Sequence, residues 1–169
     1  MNFDYTEEQQ LLANSVQQFL SKDYTFEARK EIIESQAGYS DQECETFAQM
    51  GMLGIPISRD IGAVGGNAVD LMPVMEAIGD ALVVEPFLSS VCLAGRLLAQ
   101  GGNDSQRLEI LPAVVEGKCK LAFAQTERGA RYDLANIKCR AQRSDEGCLL
   151  YTSDAADATP CVDLGGRRI

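Results

Sequence analysis

The sequence predicts a mostly α-helical fold, a bundle of helices followed by the opening strands of a β domain. Three observations carry this. Apolar residues recur at helical spacing over most of residues 6–115. The runs are punctuated by N-cap and C-cap signals. Near Cys119 the period shifts from helical to alternating.

The elements follow in order. Thr6 and Gln9 form a capping-box pattern, and Glu7 and Glu8 suit the positive end of a helix. Leu12, Val16, Phe19 and Leu20 then make one apolar stripe. A second amphipathic helix is expected over Phe26–Ser35, with Ile32 and Ile33 on its apolar face. Ser40 and Glu43 form a second capping-box pattern. Cys44, Phe47, Ala48 and Met50 supply that helix's inner face, and Gly51 ends it. Pro56 and Gly62–Gly66 mark a loop. The next helix is expected over Val69–Leu82, with Met72, Met75, Ala77, Ile78 and Leu82 inward. Pro86 separates it from an apolar helix over Ser89–Gln100, which stops at Gly101-Gly102. Asp104 is the expected cap of a shorter helix reaching Val115, and Gly117 closes it. The four methionines Met50, Met52, Met72 and Met75 read as core.

Residues Leu121–Leu134, LAFAQTERGARYDL, read as a strand entering a turn at Gly129. Leu121, Phe123 and Gln125 alternate with Ala122, Ala124 and Thr126. Such a strand end can hydrogen-bond a planar heterocycle and a nearby phosphate. The same residues also suit an ordinary strand and hairpin. A second strand is expected over Asn136–Gln142.

Composition narrows the function. The 169 residues are 46% hydrophobic, enough to build a core, and carry a formal charge of −10. That balance argues against nucleic acid and anionic membrane as partners. There is no histidine, which removes Ser-His-Asp and Cys-His catalysis and imidazole metal ligation. No CxxC spacing occurs. Cys44, Cys92, Cys119 and Cys139 read as reduced thiols of a cytoplasmic protein. The polar, acidic N-terminus does not read as a signal peptide, and no apolar run approaches a membrane span. The loop Asp60–Gly66 lacks any GxGxxG or GKS pattern and is not expected to cradle phosphate.

The ordered succession MNFDYTEEQQLLANSVQQFL, FAQMGMLGIPISRDIGAVGG, VMEAIGDALVVEPF and GNDSQRLEILPAVVEGKCKLAFAQTERGA resembles the acyl-CoA dehydrogenase family of flavoproteins. Within it, Arg131-Tyr132-Asp133-Leu134 looks most like the pimeloyl-CoA dehydrogenase small-subunit branch. The resemblance implies an N-terminal helical domain of that fold over 1–117 and the start of a middle β domain over 118–147. It implies FAD as cofactor, an acyl-CoA substrate and electron-transfer flavoprotein as partner. A homo- or hetero-oligomer is also implied. Flavin contact falls on Phe123, Gln125, Thr126, Arg131 and Tyr132. Most members of the family carry Pro, Gly and Ser where this chain has Arg128, Arg131 and Tyr132. The acyl-chain pocket falls on Val91, Cys92 and Gly95, residues that also suit a plain core. Arg96 is a candidate for a substrate's terminal carboxylate, or a solvated arginine. The family's catalytic base belongs to a C-terminal helical domain, so no carboxylate here is assigned that role. Glu76, Glu85 and Glu127 are read as solvated or capping groups.

The last stretch has a different character. Cys148–Asp157 and Val162–Ile169 resemble two blocks of a translated sequencing adaptor, with Ala158 departing from it. Residues 148–169 are therefore expected to be a non-native tail, and the natural sequence to be cut short. The alternative reading of the whole is a non-catalytic helical interaction module.

Overall fold

The computed structural model describes residues 4–124, 133, 135–144 and 147–151. The chain divides into two compact units, Met1–Phe123 and Ala124–Ile169.

The first unit is helical. α1 (Glu7–Asp23) starts with the expected box: Thr6 Oγ1 accepts from the Gln9 N–H while Gln9 returns a bond to the Thr6 N–H. Val16 and Leu20 are buried on the predicted stripe. α2 (Phe26–Glu34) follows, but Ile33 is exposed and only Ile32 packs inward. α3 (Asp41–Gln49) buries Cys44 and Phe47. Phe47 meets Phe19 of α1 edge-to-face, with centroids 6.1 Å apart. Two short 3-10 turns, Met52–Gly54 and Arg59–Ile61, carry the chain to α4 (Ala68–Asp80). α1 and α4 pack together. A wide π-type helix spans Phe87–Gly95, earlier than expected, and runs directly into α5 (Arg96–Gly101). α6 (Asp104–Val115) is capped by Asn103 rather than Asp104. The Asn103 carboxamide accepts from the Gln106 N–H, and a β-region φ/ψ is open to Asn103 but not to a residue already inside the helix.

The core joins Val16 and Leu20 of α1 and its C-cap Tyr24 to Phe47, Met52, Ile55, Val74, Phe87, Val91 and Val114. In α4 Pro73 and Val74 are buried and the expected Met75, Ala77 and Ile78 pack against the core, while Met72 is exposed. Leu82 is exposed too, because it lies beyond the helix end in a left-handed conformation, φ 52°. Val83 N–H bonds to the Ile78 carbonyl and Leu82 N–H to that of Gly79, the Schellman pattern. Leu82 thus fills a position that glycine occupies without strain. Leu82→Gly is expected to stabilise the protein by about 1 kcal/mol, read as a higher midpoint in urea unfolding. An unchanged or lower midpoint would show that the Leu82 side chain contributes more than its backbone strain removes.

The second unit contains an antiparallel hairpin, β1 (Arg140–Ser144) with β2 (Gly147–Tyr151), in the register Arg140 to Tyr151 and Gln142 to Leu149. The strand expected at Asn136 therefore begins at Arg140. Residues 121–124 join no ladder among the described residues. The alternation there cannot make a strand without a partner.

Candidate functional site

The surroundings of the Phe87–Gly95 helix begin with its own composition. This segment is almost wholly apolar, and Phe87, Ser90, Val91, Ala94 and Gly95 are all buried. Ser90 is the polar exception. Its hydroxyl accepts from the Leu121 N–H at 2.7 Å, which ties the extended segment after α6 to this helix. From that anchor the chain leads out through Ala122, Phe123 and Ala124, all exposed, with Phe123 39% accessible. Gln125, Thr126, Arg131 and Tyr132 lie outside the described residues.

The four expected pocket residues do not line one surface of this unit. Val91 lines a small pocket of about 20 Å³, bounded also by Cys44, Phe47, Glu85, Cys119 and Lys120. That space holds a single water-sized guest and not an acyl chain. Gly95 faces Ile57: a Cβ there would stand 3.2 Å from Ile57 Cδ1 and from the Ser90 carbonyl oxygen. Cys92 is half-buried, and burial pushes its thiol up to about 11 against the opposing pull of Arg96. Arg96 is exposed and lines a separate cleft with Arg59 and Arg107. The thiol of Cys44 is likewise pushed up to about 11 by burial, opposed first by Lys120. Both thiols stay protonated and unreactive at neutral pH.

Glu85, expected as a solvated or capping carboxylate, is not solvated but does receive the N–H of Ser40, the N-cap of α3. It is 5% exposed. Tyr24 donates its hydroxyl hydrogen to Glu85 Oε2 at 2.7 Å, and the Ser40 N–H donates to Oε1 at 3.2 Å. Tyr24 in turn accepts from the Val84 N–H. One carboxylate thus binds the end of α1, the start of α3 and the turn before the π-type helix. The only sequence signal for it was a charge set in the apolar run Val83–Phe87.

This arrangement also breaks the second capping box. Ser40 Oγ accepts from the Glu43 N–H, as expected, but the Ser40 N–H goes to Glu85. Glu43 is left half-buried with Oε2 unpartnered among the described residues. Burial, then the charges of Glu85 and Asp23, raise its pKa above the ordinary 4.5. A carboxyl raised in the folded state favours folding below its unfolded pKa and loses that contribution as pH rises through the folded value. Glu43→Gln is therefore expected to raise the thermal midpoint at pH 7. The gain should vanish below pH 4.5. A gain that is the same at both pH values would contradict this account.

Lys120, also missed in the sequence, pairs with Asp41 and sits 4.7 Å over the Tyr39 ring. Among the described residues no cluster of three or more His, Cys, Asp or Glu could hold a metal ion. None of the described helices is long and apolar enough to cross a membrane.

Residues 6–118 match the family model described as "Acyl-CoA dehydrogenase, N-terminal domain". Acyl-CoA dehydrogenase IpdE2 of Mycolicibacterium smegmatis is 32% identical, over 96% of this chain and 50% of that protein. The caffeyl-CoA reductase-Etf complex subunit CarC of Acetobacterium woodii is 30% identical, over 81% of this chain and 36% of that protein. Among solved structures, the Tcur3481-Tcur3483 steroid ACAD G363A variant superposes with a TM-score of 0.73 at 25% identity, covering 85% of this chain and 39% of that one. The acyl-CoA dehydrogenase of Bacillus anthracis complexed with FAD superposes with a TM-score of 0.74 at 20% identity, covering 88% and 26%. The chain spans half or less of the length of these curated relatives. With the helical order described above and a family model covering most of it, the chain belongs to the acyl-CoA dehydrogenase family, of which it carries the N-terminal domain.

Proposed function

We propose that the whole protein is a cytoplasmic FAD-dependent acyl-CoA dehydrogenase. It desaturates an acyl-CoA thioester between the α- and β-carbons and passes the electrons to electron-transfer flavoprotein. The observation that carries this reading is the family match over 6–118. Names of relatives add support: a reductase–Etf complex subunit and an FAD complex. FAD, when bound, would supply the hydride acceptor, and the protein's share is positioning and electrostatics.

Phe123 fits such a group. It is a large exposed ring at the end of a segment anchored by Ser90, a flat apolar surface for a planar heterocycle. We assign flavin contact to Phe123, Gln125, Thr126, Arg131 and Tyr132. Thr126 would donate a hydrogen bond to the ring, and Arg131 and Tyr132 would meet the pyrophosphate. Of Val91, Cys92 and Gly95, the half-buried Cys92 would back the acyl pocket, with Val91 and Gly95 packed behind it in the interior of this unit. The catalytic base would come from sequence outside this chain, so the 169 residues by themselves are expected to be inactive. Exposed Leu88, Leu97 and Leu108 would be covered by the remainder of the protein or by a second subunit. In the same reading the protein belongs to the pimeloyl-CoA dehydrogenase small-subunit branch, and 148–169 is adaptor-derived.

Two measurements test this. Sequencing the source DNA past codon 147 should show the frame continuing into a β domain and a helical domain with a pocket carboxylate. The purified full-length protein should carry a yellow flavin that bleaches when acyl-CoA is added without an electron acceptor. Thr126→Ala should weaken flavin retention. A colourless full-length protein, unchanged by acyl-CoA, would favour the non-catalytic interaction module instead.

A further inference from the structure

The cleft that contains Arg96 is not used by the proposed reaction. It has a volume of about 520 Å³, lies between the 56–66 loop and α5, and brings together three arginines, Arg59, Arg96 and Arg107. In a chain of net charge −10 this is a local reversal of sign.

The three are held differently. Arg107 is largely buried and compensated: it pairs with Asp60, and with Asp104 at 3.6 Å. The Ser58 hydroxyl and the Arg107 guanidinium hold Asp60 below the ordinary carboxylate range. Arg59 is exposed but positioned. Its Nε donates to the Val64 carbonyl at 2.8 Å, and its stem lies against the bare Cα of Gly65, where a Cβ would collide with Arg59 Cγ and stand 3.2 Å from Cδ. Arg96 opens α5 and is exposed. Among the described residues no carboxylate lies within 4.0 Å of the Arg59 or Arg96 guanidinium. Gln100, one turn after Arg96, adds a carboxamide to the same wall. The amides of Gly65 and Gly66 are already bonded to the carbonyls of Gly54 and Ile55, so recognition here falls to side chains.

We propose that this cleft binds a small molecule through a phosphate group, held by Arg59 and Arg96. Two uncompensated guanidiniums match a dianion in charge. A tetrahedral phosphate offers oxygens in different planes to two separate planar forks, whereas the two oxygens of a carboxylate are coplanar and face one fork edge-on. Arg107 acts as a fixed floor whose charge Asp60 and Asp104 already balance. The cleft volume falls in the range of small-molecule sites.

The test is calorimetric titration of the full-length protein with inorganic phosphate at low ionic strength and at a mildly alkaline pH where phosphate is a dianion, beside glutarate as a dicarboxylate of equal charge. Phosphate should bind saturably, one per chain, and more tightly than glutarate. Arg96→Met and Arg59→Met should each weaken phosphate binding about tenfold or more. Lys30→Met, which removes a positive charge on α2, should leave it unchanged. Arg59 also bonds the 56–66 loop, so each variant's thermal midpoint is recorded. If Arg59→Met destabilises, Arg96→Met decides alone. Absence of saturable binding, binding that survives Arg96→Met, or glutarate binding as tightly as phosphate would overturn the proposal. Flavin content plays no part in this readout, so its failure leaves the dehydrogenase reading untouched, and the reverse.

Discussion

Gly117→Ala is expected to cost roughly 2–5 kcal/mol of stability, from left-handed strain added to overpacking. Gly117 sits just past α6 at φ 76°. Its N–H bonds to the Val114 carbonyl, and the Lys118 N–H to that of Ala113, the same Schellman closure that ends α4. What separates the two sites is space. A Cβ on Gly117 would lie 2.7 Å from the Cys44 carbonyl oxygen and 3.0 Å from its carbon. Those atoms belong to the backbone of α3 and cannot rotate away. Leu82, at the equivalent position of α4, keeps its side chain exposed to solvent. Urea unfolding of Gly117→Ala should show a much earlier midpoint with a similar slope. A shift no larger than that of an exposed Gly38→Ala would mean that α3 and α6 separate easily. Gly38 shares a positive φ, 69°, but a Cβ there would meet nothing within 4 Å.

Tyr24→Phe should be the next most damaging single change, by roughly 2–4 kcal/mol. It deletes one oxygen. That oxygen donates to the buried Glu85 carboxylate and accepts from the half-buried Val84 N–H at 3.1 Å, so both groups lose a partner at once. Burial is the main reason the phenol is held above its ordinary pKa; the Val84 bond opposes it, and the Glu85 carboxylate adds to it. The hydroxyl therefore remains a donor at neutral pH. Adding Glu85→Leu to Tyr24→Phe should restore part of the loss, because an unpaired buried carboxylate costs more than an apolar side chain in its place. Losses that simply add in the double variant would show that the two residues do not act as a pair.

Local chemistry was legible in the sequence where a signal and its effect lie within one turn of chain. Thr6 with Gln9, Gly51 and Gly117 mark helix ends, and the structure puts ends there because a cap satisfies backbone groups only three or four residues away. The stripe Leu12–Leu20 was readable for the same reason. Ser40 with Glu43 was readable only in half. The serine hydroxyl caps its helix, but the expected return bond lost to Glu85, 45 residues away.

The candidate site was less legible than the fold. The order of motifs pointed to the family, and the match over 6–118 bears that out. Residue positions inside the site did not follow as directly. Val91 and Arg96 are five residues apart, yet one is buried beside a small pocket and the other lines an arginine-bearing cleft. The π-type winding of Phe87–Gly95 changes which residues share a face, and no local spacing rule reports it. Phe123 is exposed because its alternating segment has no ladder partner among the described residues, a matter of pairing between distant stretches.

By itself, then, the amino-acid order determined the helical class, the caps, the main apolar stripes and the family resemblance. These depend on contacts between near neighbours or on the succession of such contacts. Only the tertiary structure decided that Glu85 is a buried hub, that Glu43 lost its partner and that Arg59, Arg96 and Arg107 share one cleft. Each of those depends on which distant side chain arrives first at a hydrogen bond or a charge, and burial sets the strength of that competition.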